Sequence, residues 1–142
     1  MRRALCALLL SLPLLAWGQP PAPAVSKADA RAIRKVIEAQ LDAFRHDDAA
    51  RAFSYAAPGI RELFGTPETF MAMVKTSYPV VYRPGSVLFE EPAMEGAELV
   101  QLVRMTDVNG HAWIARYPMV RYGKGPWRIN GCQIARVPGQ TI

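Results

Sequence analysis

The apolar residues of this chain change their period once. As far as Tyr78 they recur at three- and four-residue steps, and from Val80 onward they follow strand patterning. Helices gathered ahead of strands give an α+β domain, with the helices on one face of the sheet. The expected architecture is three N-terminal helices packed on a four-stranded antiparallel meander.

The first helix is the best defined. Ser26 caps it, and Asp29 three residues on is a weak capping-box partner. Ala30, Ile33, Ile37, Leu41 and Phe44 form its apolar stripe, while Arg31, Lys35, Glu38, Asp42 and Arg45 take the other faces. It should span about Lys27 to Arg45. Asp47 or Asp48 caps a shorter second helix through Phe53. Pro58 starts a single turn that Gly65 ends. Thr66 caps the third helix, with Pro67 at its first position and Phe70, Met71, Val74 and Tyr78 facing inward. Pro79 stops it.

The strands follow. A short extended piece is expected at Val80 to Arg83, then strands at Ser86 to Met94, Ala97 to Asp107, His111 to Tyr122 and Trp127 to Arg136. Asn109-Gly110 marks a hairpin, because both positions accept positive φ. Trp127 and Ile129 share one parity, and Cys132 and Ile134 the other. All four can face one core if Asn130-Gly131 holds a β-bulge. A strand apolar on both faces is the plain alternative.

Residues 1–18 read as a secretory signal. Met1-Arg2-Arg3 is basic, Ala4 to Leu15 is apolar, and Ala16-Trp17-Gly18 offers small residues three apart. The run is too short to span a membrane. Residues 19–26 form a Pro-rich tether, and 27–138 a single domain. The expected location is periplasmic or secreted, with no stable membrane anchor after cleavage. The chain has 17 basic and 12 acidic residues, a net +5. Without Arg2 and Arg3 the balance is 15 to 12, or +3. These charges are interspersed, which gives no nucleic-acid footprint. Cys132 is the one cysteine left after cleavage, so no intramolecular disulfide can form. It reads as a small buried hydrophobe.

Ala32 to Phe44, Asp47 to Phe53, Phe64-Gly65-Thr66-Pro67-Glu68, Tyr78 to Pro84 and Trp127 to Cys132 together resemble a bacterial family. It is number 4864 in the domain-of-unknown-function series, within the nuclear transport factor 2-like (SnoaL-like) superfamily. The resemblance implies a cone, in which a curved sheet wraps the long first helix and leaves a pocket at its mouth. It also implies small-molecule binding or protein docking in some relatives, isomerase or dehydratase chemistry in others, and a homodimer through the outer sheet face. The family itself carries no established activity.

Catalysis in such a cone needs a carboxylate or histidine aimed inward. Steroid-isomerase-like relatives place an aspartate just after the second helix, where this chain has Ala56-Ala57-Pro58-Gly59. A dehydratase-like site would want a His–Asp pair. His46 lies beside Asp47 and Asp48 at a helix end, where capping explains the acids, and His111 follows a turn. Met71, Met73, His46, His111 and Cys132 are the soft groups a copper site would collect, but Met71 and Met73 diverge on a helix. The expectation is therefore no catalytic residue, no metal and no cofactor. What remains is a binding pocket lined by Tyr55, Tyr78, Tyr82, Trp113 and Tyr117, with Arg104 as an anion-seeking group. Its partner is a small molecule or a protein.

Overall fold

The computed structural model of the protein describes Gly18 and residues 24–141. Residues 1–17 of the expected signal and 19–23 of the tether lie outside the described residues. Five helical segments come first: α1 (Lys27–Arg45), α2 (Ala49–Ser54), α3 (Pro58–Phe64), α4 (Pro67–Ser77) and α5 (Pro79–Tyr82). Six strands follow: β1 (Ser86–Phe89), β2 (Ala93–Glu95), β3 (Glu98–Thr106), β4 (His111–Val120), β5 (Arg128–Ile129) and β6 (Gln133–Thr141). Among the described residues no helix is long and apolar enough to cross a membrane.

Local chemistry sets most helix ends. Ser26 Oγ accepts from the Asp29 amide at 3.0 Å, and Asp48 and Thr66 cap α2 and α4 in the same way. Asp29 does more than assist the cap. Its carboxylate also accepts from Trp127 Nε1 at 3.0 Å and pairs with Arg121 at 2.9 Å, which ties the start of α1 to the β4–β5 connection. α1 buries Ile33, Ile37, Leu41 and Phe44 as its stripe requires, and Gln40 and Ala43 with them.

Three helices and one turn were expected, and the count is corrected in two places. Pro58 to Phe64 is a full helix rather than a single turn. The extended piece expected at Val80 to Arg83 is instead α5, with Pro79 at its first position and both Val80 and Val81 buried. Two neighbouring valines on a strand would face opposite sides. A helical turn packed against α4 and α1 buries both.

The sheet is antiparallel, curled, and centred on β3 and β4. Each outer position of the expected meander is a strand in two pieces. From Phe89↔Val103 to Ala93↔Val100 the outer strand advances four residues while β3 advances three. From Met119↔Ile129 to Arg116↔Gln133 the C-terminal strand again gains one residue on β4. An extra residue bends its strand and adds twist, so the two bulges curl the sheet over the helices. The second falls at Asn130 to Cys132, where Gly131 takes a φ of 140°, and it turns Ile129, Cys132 and Ile134 toward one core. Trp127 packs there too, but only half-buried.

The Asn109-Gly110 hairpin forms, with a different turn. Gly110 alone takes positive φ, 80°, and its amide bonds Asp107 O at 3.0 Å. That is a three-residue loop ending in a left-handed glycine.

The core lies between the helices and the odd-numbered side chains of β3 and β4. Val103 meets Ala115, Met105 meets Trp113, and Gln101 meets Tyr117 across the ladder. Gln101 is buried and uses its amide nitrogen twice, donating to Glu90 O at 2.6 Å and Leu102 O at 2.8 Å. The even-numbered residues of β3 lie on the other face of the sheet, where Arg104 is exposed, Leu102 is half-buried and Val100 is covered.

Candidate functional site

One end of this core is not filled. A cavity of about 340 Å³ lies where the C-terminal bulge approaches the helices. The segment joining α2 to α3 runs beside β5 as a parallel bridge. Ile129 N donates to Tyr55 O at 2.9 Å and Ala57 N to Ile129 O at 2.8 Å. This seam holds α3 across the opening. Ile60, Leu63 and Phe64 of α3 line one wall, and Phe70, Met73 and Val74 of α4 the next. Gln40 and Phe44 come from α1, Tyr117 from β4, and Gly131, Cys132 and Gln133 from the bulge and the start of β6. Leu63 is 74% exposed, which puts the mouth at the outer edge of α3.

The wall is apolar apart from a few groups, and among the described residues no carboxylate, ammonium, guanidinium or imidazole contributes to it. Tyr78 is committed to the scaffold, since its hydroxyl donates to Cys132 O at 2.9 Å. Tyr117 is fully buried, and among the described residues its hydroxyl has no hydrogen-bond partner. The Cys132 thiol is near enough to influence it, but the two do not meet in hydrogen-bond geometry. Burial pushes both groups up: Tyr117 well above the ordinary tyrosine value, and Cys132 to about 12 despite the lowering effect of the Tyr117 hydroxyl. Both stay protonated at neutral pH. Tyr78 is raised as well, first by burial and then by Cys132.

Gln40 is 3% exposed, and its Nε2 donates to Ala52 O at 3.1 Å. A carbonyl accepts only from the NH₂ end of the amide, so this bond fixes which end is which. Oε1 then has no protein partner among the described residues. Gln40 was missed in the sequence, although it occupies the helical stripe Ile33, Ile37, Gln40, Phe44. A polar residue at a stripe position is the signal that would have found it.

Of the six residues expected at a pocket, Tyr78 and Tyr117 line this cavity and four do not. Tyr55 is half-buried at the end of α2 and contributes its backbone to the β5 seam. Tyr82 lies at the surface, where its hydroxyl donates to Asp47 and its ring stacks under Arg83 at 3.9 Å and Lys75 at 5.4 Å. Arg83 and Lys75 also reach the Asp47 carboxylate, at 3.2 and 3.5 Å. The bond from Tyr82, and then these two charges, hold Asp47 below the usual carboxylate range.

Arg104 is on the outer face of the sheet, 55% exposed and paired with Glu90 at 2.6 Å. Trp113 is at the hairpin end, where its Nε1 donates to Asp107 at 3.0 Å. Asp107 also accepts from His111 Nδ1 and from the amides of Asn109 and His111. The indole bond is the main reason its carboxyl is held well below the usual range. His46 is exposed at the end of α1. Among the described residues no three His, Cys, Asp or Glu side chains gather as a metal set.

Residues 26–142 match a protein family described as Domain of unknown function (DUF4864). Neither the curated proteins nor the solved structures give a match.

Proposed function

Since the chain belongs to the DUF4864 family, whose description assigns no activity, we propose a function from the cavity itself: an exported protein that binds a small molecule without transforming it. The observation that carries this is an apolar cavity of about 340 Å³ lined by Tyr117, whose buried hydroxyl has no partner among the described residues, and by Gln40, whose amide oxygen makes no bond to them. A volume of this size is within the range of small-molecule sites. Buried polar atoms are nearly always paired, so the unpartnered Tyr117 hydroxyl, with the unbonded Gln40 amide oxygen on the same wall, points to an outside partner. Export rests on the basic start, the apolar run and the cleavage site after Gly18. We read the curled sheet and long α1 as the cone of the nuclear transport factor 2-like superfamily, with the cavity at its mouth.

Isomerase or lyase chemistry in the cone is the competing reading. It asks for a base that is free near neutral pH. The ionisable groups on the wall are two tyrosine hydroxyls and one thiol, and all three are raised.

Native mass spectrometry of the protein extracted from the periplasm tests the proposal. The expected spectrum shows a polypeptide lacking residues 1–18 and carrying a small-molecule adduct that gentle collisions remove intact. A full-length mass would refute export. A bare polypeptide that also gains no thermal stability from any neutral aromatic compound would refute binding.

A further inference from the structure

The chemistry of the wall narrows the ligand, and this step rests on the binding proposal above. We infer that the cavity selects an uncharged, largely apolar molecule of roughly ten to fifteen non-hydrogen atoms bearing a hydroxyl group. The size follows from about 340 Å³. The charge follows from a wall with no ionic side chain, because a buried ion needs a partner. The hydroxyl follows from the two unused groups. Gln40 Oε1 can only accept, and a tyrosine that stays protonated has a hydrogen to donate. A hydroxyl carries both a donor to suit the first and an acceptor to suit the second. A ketone or ether would leave Gln40 unpaired, and an aliphatic amine would bring a charge. The Cys132 thiol, protonated and weakly polar, borders Tyr117 and yields that face to a better acceptor. Entry is past Leu63, the exposed apolar residue on α3.

Three probes of one shape separate these statements: 2-naphthol, 2-methoxynaphthalene and the 2-naphthoate anion. Each is titrated into the mature protein, with amide shifts at Gly131 and Gln40 reporting location. The expected order is naphthol tightest, the methyl ether three- to tenfold weaker, and naphthoate weakest, since one neutral hydrogen bond separates the first two (roughly a three- to tenfold effect). Gln40→Met should remove naphthol's advantage and leave the ether near its wild-type affinity. Gln40→Met also strips Ala52 O of its donor, so Tyr117→Phe serves as the second variant and should weaken naphthol more than the ether. Equal binding of the two neutral probes to wild type would overturn the hydroxyl requirement while leaving the cavity a binding site. Tightest binding by naphthoate would overturn the uncharged class. If no probe shifts the cavity amides, the binding proposal itself falls.

Discussion

Replacing Tyr117 by phenylalanine should make the empty protein more stable. The change removes one oxygen that is fully buried and unbonded. An unpaired buried donor costs about 1–3 kcal/mol. Against this stand the lost contacts of a single atom, a handful at about 0.1–0.2 kcal/mol each. The balance is a gain of about 0.5–2 kcal/mol. A domain of this size loses roughly 0.24 kcal/mol of stability per degree near its midpoint, so Tm should rise by about 2–8 °C. Urea denaturation and calorimetry on ligand-free samples read this directly, and the m-value should not change. A fall of 1 kcal/mol or more would show that the hydroxyl is already satisfied, with the Cys132 thiol as its partner. Cys132→Ala would then produce a comparable fall, and the argument for an unused polar group on the wall would be lost. The combination expected here, higher stability with weaker hydroxyl-ligand binding, is the mark of a group kept for function at a cost in folding.

Arg104→Gln should change stability by less than about 1 kcal/mol and leave probe binding untouched, because the residue is an exposed partner of Glu90 on the outer sheet face; a tenfold loss of affinity would return Arg104 to the site. For Asp107 the folded carboxyl lies below its ordinary value of 3.8, so its stabilising effect is present above about pH 4 and drains away as pH falls further. Tm curves of wild type and Asp107→Asn should therefore run apart at pH 5–7 and converge below about pH 4, and a constant gap would refute the assignment. The Cys132 thiol, pushed up to about 12, should resist iodoacetamide at pH 7.5 in the native protein and react readily in urea; rapid native alkylation would mean an open, ionised thiol.

Local chemistry by itself determined much of this protein. The Ser26 cap and the Ile33-Ile37-Leu41-Phe44 stripe set α1 from Lys27 to Arg45, because capping and periodicity act within a few residues of each other. Thr66-Pro67 placed α4, and the change of parity between Ile129 and Cys132 placed the bulge at Gly131. Other features depended on distant contacts. Val80 and Val81 favour a strand on their own, and only packing against α1 and α4 makes them a helical turn. On β3 both parities are apolar, so alternation grouped Val100, Leu102 and Arg104 correctly but did not say which group faced the helices. The assignment of Arg104 to a pocket failed for that reason. The cavity was likewise decided by tertiary structure. Its wall joins α1, α3, α4, β4 and the bulge, and whether a tyrosine hydroxyl meets an acceptor or none depends on where those five pieces come to rest.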